Sequence, residues 1–276
     1  MGADPPFCPH NGCVADRQES AEQLAQGRRL IVTLCYDGGS PSHLETVAPC
    51  LEALGLRATF YASSTALLDD PERWRALARD GHEIGLAPLH DWVGDDGVLE
   101  APPEAVAACA EDDAELLREL FGEQPRTIGL PILVGGPPRL RSARSGKIAD
   151  ELPETIRALG CGVRTGLEGA NDPLRVDLGR IRCLPAVESD SASLVATVEA
   201  HRDRPAWLVF AFLGVGSGED AIDAVEHASF CLWLAENRNA LTVLPLRDVC
   251  LALASRPSGT AAVGRGRAKR GVVHPS

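Results

Sequence analysis

Lysine is almost missing from this chain: Lys147 and Lys269 stand among a combined 27 lysines and arginines. With abundant alanine and glycine, that skew fits a high-GC coding bias and carries no functional meaning. Net positive charge is missing too. The formal charge is -12, which argues against nucleic acid as the main partner, because phosphate backbones attract basic surfaces. No apolar run approaches the roughly 20 residues a membrane span needs. The opening "MGADPPFCPHNGCVADRQES" lacks the apolar stretch of a secretory signal. It offers Cys8, His10 and Cys13, but structural zinc usually takes four ligands and no second cluster follows. A mobile tail is the expected reading. The Gly-rich "GGPP" and "GVGSG" lack the lysine or the G-x-G-x-x-G frame of phosphate loops.

Nine cysteines are present, an odd number, mostly inside apolar runs (Cys35, Cys109, Cys183, Cys231, Cys250). Reduced, buried thiols and a cytoplasmic location are expected. Over 276 residues, 45% are hydrophobic and 24% charged. That supports a sizeable core and fits a single α/β barrel of about 250 residues.

From residue 30 onward, strand-like and helix-like segments alternate. "RLIVTLCY", "RATFYAS", "HEIGLA", "RTIGLPI", "CGVRTG", "RIRCLPAV", "AWLVFAFLGV" and "ALTVLPL" read as strands. "SHLETVAPCLEALG", "DPERWRALARDG", "PPEAVAACAEDDAELLRELFG", "ELPETIRALG", "SASLVATVEAH" and "AIDAVEHASFCLWLAENR" read as helices. Apolar strands separated by helices imply a parallel sheet covered on both faces, or a barrel. The expected organisation is a flexible tail over 1–28, a barrel over 29–256 and a basic disordered tail over 257–276. Arg265, Arg267, Lys269 and Arg270 carry the charge of that last tail.

Three local motifs give this order a closer reading. "CYDGG" is similar to T-F-D-D-G, "LRATFYAS" to K-A-T-F-F-V, and "RDGHEIGLAPLHD" to E-G-H-E-I-G-N-H-T-x-x-H. Together they resemble the polysaccharide deacetylase family. The resemblance implies an irregular (β/α)7-type barrel with its site at the C-terminal strand ends. It also implies metal-assisted hydrolysis of an N-acetyl amide, with one Asp and two His holding the metal. Carried over residue by residue, the base falls on Asp37 and the metal-binding Asp on Gly38. The metal histidines fall on Ala87 and on Asp91, with His90 adjacent. The arginine of R-x-P-Y falls on Gly129, with Pro131 kept, and the acid His on Leu213. Of the six polar roles, only Asp37 keeps its residue type, and Asp91 alone offers a replacement ligand.

The resulting expectation is a deacetylase scaffold with its metal triad dismantled: no metal and no cofactor. Asp37, His90 and Asp91 are the candidate catalytic residues. Cys35, Tyr36, Gly38, Ala87, Pro131 and Leu213 are the candidate substrate-binding positions. Cys35 shares a strand face with Asp37, and core packing is its plainer role. His82 and Glu83 read as framework, and His201 and His227 as solvated or packed. Two functions stay open. One is a metal-independent enzyme acting on a small, partly apolar molecule by C–N hydrolysis or proton transfer, elimination or cyclisation, with Asp37 as base. The other is an inactive relative that binds a ligand or scaffolds a partner. A third arrangement, in which His43, His90 and Asp91 form a relocated metal site, also stays open. The expected partner is a small-molecule substrate, with no nucleic acid and no membrane; a homo-oligomer is compatible.

Overall fold

The computed structural model describes residues 30–89, 92, 102–124, 126–134, 137–218 and 220–255. Both expected tails, with Cys8, His10 and Cys13, lie outside the described residues, as do His90 and Asp91.

The strands are β1 (Leu30–Gly38), β2 (Thr59–Ala62), β3 (Glu83–Gly85), β4 (Ile128–Gly129), β5 (Val163–Glu168), β6 (Ile181–Pro185) and β7 (Ala206–Phe212). The short pair β8 (Gly214–Val215) and β9 (Ala221–Ile222) follows, then β10 (Leu241–Val243). The main sheet runs β3-β2-β1-β7-β6-β5-β4, all parallel, and β10 pairs with the start of β1. A parallel bridge between Leu86 and Ile128 joins the two ends into a nearly closed barrel. Leu86 N–H donates to Thr127 O, and Gly129 N–H donates to Leu86 O.

Helices α1 (Ala48–Ala53), α2 (Ser64–Asp69), α3 (Pro71–Arg79), α4 (Pro103–Phe121), α5 (Pro138–Glu151), α6 (Glu154–Arg157), α7 (Ser191–Glu199), α8 (Ala224–Glu236) and α9 (Leu246–Ala254) surround the strands. None of the described helices is long and apolar enough to cross a membrane. Capping follows chemistry: Asp70, Asp190 and Asp223 each accept backbone N–H bonds at the start of α3, α7 and α8. The helix expected from "SHLETVAPCLEALG" starts as a π-helical turn, His43–Val47, before α1. Pro49 has no N–H to give, and Ala48 N–H instead reaches back to His43 O. Sequence reading missed α5, because "PRLRSARSGKIADE" carries little apolar periodicity. It packs through small residues: a Cβ at Gly166 on β5 would come within 2.6 Å of Ser145 Oγ.

The period of two along β1 sorts the core into two layers. Leu30, Val32, Leu34 and Tyr36 face the helices, while Ile31, Cys35 and Asp37 face the barrel interior with Tyr61, Cys183, Val209 and Ala211. Tyr61 lies across the interior. A Cβ at Gly85 or Gly129 would stand 2.5 or 2.6 Å from its ring. Below it, Glu83 is fully buried yet satisfied. Its Oε1 accepts from Thr127 N–H and O–H, and its Oε2 from Thr59 O–H and Arg247 N–H. One carboxylate therefore ties β2, β4 and α9 to β3.

Gly129→Ala should lower stability by about 1–3 kcal/mol through overpacking against Tyr61, read as a lower urea midpoint. The double change with Tyr61→Leu should recover part of that loss. If Gly129→Ala alone leaves the midpoint unchanged, the Tyr61 ring does not sit where described.

Candidate functional site

β1 delivers Asp37 to the C-terminal end of the barrel, where the site of such folds is built. Its carboxylate is 2% exposed. Arg164 Nη2 donates to Oδ1 and to Oδ2, each at 2.7 Å. Arg164 Nη1 donates to Leu130 O at 2.9 Å, and the guanidinium lies 4.9 Å from the Tyr61 ring centroid. Nε is left without a partner. Burial works against the Arg164 cation, but Asp37 beside it raises the pKa above the ordinary arginine value.

Arg164 was not singled out from sequence. The signal was an arginine inside the buried strand "CGVRTG", where a charge needs a partner. Its place is informative. Arg164 on β5 is the direct cross-strand neighbour of Gly129 on β4, the position on which the family-type arginine falls. The Arg164 guanidinium thus stands one strand over from that position, and the Tyr61 ring occupies the space a side chain at 129 would need.

The remaining candidates separate by face. Cys35 is buried in the interior beside this pair, and burial pushes its thiol well above the ordinary value. Gly38 is exposed with φ +93°, and a Cβ there would meet open space, though in a backbone conformation L side chains rarely adopt. Ala87 and Leu213 are half-buried against the interior layer, and Pro131 is buried. Tyr36 points the other way, into the shell between barrel and helices. It stacks on Phe60 (5.0 Å) and Phe212 (5.1 Å), and its hydroxyl is 2.8 Å from His227 Nε2. His43 is buried on that same side, edge-on to Tyr36 at 5.6 Å, with both ring nitrogens unpartnered. The structure thus brings Cys35 and Asp37 together and separates both from Tyr36 and His43.

A cleft of about 260 Å³ opens elsewhere at the barrel mouth. It is lined by Leu133, Val134, Arg141, Glu168, Pro185, Val187 and Glu188. Arg141 donates to Glu168 Oε1 from Nε (3.1 Å) and Nη2 (2.8 Å). Glu188, at φ 48°, is the non-glycine residue with left-handed backbone among the described residues.

A nearly closed parallel barrel with its mouth at these strand ends is the architecture of the polysaccharide deacetylases. The polysaccharide deacetylase family model matches residues 25–143, from the approach to β1 into the start of α5, so the chain is similar to that family over this stretch. Among solved structures, a "putative polysaccharide deacetylase" from Mycobacterium smegmatis is 15% identical with a TM-score of 0.53, covering 92% of this chain and 94% of that one. The Bc1960 peptidoglycan N-acetylglucosamine deacetylase, solved with a hydroxamate-type benzamide, is 12% identical with a TM-score of 0.51, covering 87% and 95%. A BA3943 mutant described as a CE4 family pseudoenzyme is 9% identical with a TM-score of 0.48, covering 81% and 68%. No curated protein matches the sequence.

That family implies a divalent metal at the mouth. The described residues do not fit one there. Gly38 and Ala87 carry no donor atom, and both oxygens of Asp37 already accept from Arg164. A cation brought to Asp37 would also meet the guanidinium's positive charge.

Two outcomes follow from the buried groups. Asp37→Asn or Arg164→Met should each cost about 3–5 kcal/mol, because either leaves a charge buried and unpaired. The double variant Asp37→Leu with Arg164→Met should cost clearly less than the two single losses added, as a double-mutant cycle by urea unfolding would show. Burial lowers the His43 pKa from 6.5 to about 4. The unfolded imidazole then takes up a proton below about pH 6.5, while the folded one does so only near pH 4. Stability should fall as pH drops through that window, by up to about 3 kcal/mol for this group. His43→Phe should flatten that part of the pH–stability curve.

Proposed function

We propose that this protein is a deacetylase-family barrel that binds a small hydroxylated ligand without deacetylating it. The observation carrying this reading is the Asp37–Arg164 pair. The one acid kept from the family pattern has both oxygens engaged by a buried cation. Were Asp37 to act as a base, the proton it took up would leave Arg164 buried without its counter-charge. The interior around it is filled by Tyr61, Cys35, Cys183 and Ala211. These points favour the binding reading over the metal-independent enzyme expected from sequence.

The cleft at the ends of β5 and β6 is the seat for the ligand. At its mouth Glu168, with Oε1 held by Arg141 and its side chain 32% exposed, presents a carboxylate acceptor, which suits the hydroxyl groups of a ligand. Leu133, Val134, Pro185 and Val187 supply apolar walls. The volume suits one sugar ring more than an extended chain. The solved relatives that act on peptidoglycan N-acetylglucosamine make an N-acetylated saccharide the first ligand class to try.

Calorimetric titration with N-acetylglucosamine and short chito-oligosaccharides should show binding, weakened at least about tenfold by Glu168→Ala, the loss of roughly 1.4 kcal/mol. Acetate should not accumulate with or without added zinc. Acetate release by the wild type that disappears in Asp37→Asn would overturn this reading.

A further inference from the structure

On the outer side of β1, away from Asp37, Cys50, His227 and Cys231 converge. Their ligand atoms all lie within 4.8 Å of one another. Cys50 comes from α1, while His227 and Cys231 stand four apart on α8 and so share one helix face. The cysteines are free thiols. His227 and Cys231 are fully buried, and Cys50 is half-buried, which leaves a path from solvent.

We propose that this cluster is a binding site for a thiophilic cation, Zn²⁺ by its ligand set. Two thiolates and an imidazole match the nitrogen–sulfur ligands zinc takes, and neither Ca²⁺ nor Mg²⁺ uses them. The spacing agrees as well. Cys231 Sγ is 3.6 Å from His227 Nε2. In a tetrahedral site with Zn–S of about 2.3 Å and Zn–N of about 2.0–2.1 Å, the two ligand atoms stand about 3.6 Å apart. The Tyr36 hydroxyl lies 2.8 Å from Nε2, a hydrogen bond that the ion would displace on binding that nitrogen. Binding would release the thiol protons of Cys50 and Cys231 to solvent, with no change of oxidation state. The ion would clamp α1 to α8 and leave a fourth position for water or the Tyr36 oxygen. The site is independent of the barrel interior, so it stands or falls apart from the ligand-binding proposal.

The test uses the reduced, full-length chain titrated with Co²⁺ and then Zn²⁺. The wild type should take up one equivalent of cobalt with a thiolate-to-cobalt charge-transfer band, which zinc then bleaches. Zinc should also slow alkylation of Cys50 by iodoacetamide. Cys50→Ser and Cys231→Ser should lose the band and weaken zinc binding by more than about a hundredfold. The double variant Cys8→Ser, Cys13→Ser should keep the band. Should Cys231→Ser fail to fold, Cys50→Ser, at the half-exposed ligand, decides the matter. Absence of the band in the wild type overturns the proposal, as does a band that survives Cys50→Ser or vanishes with Cys8 and Cys13.

Discussion

Charge held inside a barrel with little access to water must be answered within the barrel, and this constraint organises the molecule. Glu83 meets it at the floor by accepting from Thr59, Thr127 and the start of α9. Asp37 and Arg164 meet it near the mouth by answering each other. Strand register follows from these pairings, because an inward residue shifted by one position would face the helices. The glycines at 85 and 129 belong to the same solution, since they leave room for the Tyr61 ring against which Arg164 lies.

An ion pair of this kind is a poor source of net stability but a strict condition on its members. Removing either partner leaves the other stranded, whereas replacing both with apolar residues can be nearly neutral. The site therefore reads as a settled structure, with its polar groups committed to one another. Chemistry at such a mouth needs groups with spare hydrogen-bonding capacity and contact with solvent. Among the described residues, Arg141 and Glu168 keep more contact with solvent than Asp37 and Arg164 do.

Much of the fold was legible. The apolar strands and amphipathic helices fall in the order the sequence shows, and the family motifs span β1 to β3, where spacing is short-range. The alternation along β1 gave Cys35 and Asp37 a common face. Two kinds of information were not legible. Helix α5 carries its packing in Ser145 and Gly146, small residues that leave no periodic apolar signature. The partner of Asp37 lies 127 positions away, so local pattern could not join the two. The same holds for Tyr36, placed from sequence among the substrate-binding positions. Its outward parity was readable, but its partner His227 lies 191 positions on.

The barrel is joined at one narrow place, where β4 is only Ile128–Gly129 and the bridge to Leu86 supplies the connection. The other neighbouring pairs in the main sheet are paired at two or more positions, but this one is held by a single bridge. Thermal breathing should begin there, and it would lift Gly129 and the Tyr61 ring away from each other first. Solvent entering by that gap would reach Arg164 from behind, through the wall instead of the mouth. The interior charge is thus guarded on that side by two hydrogen bonds at the seam.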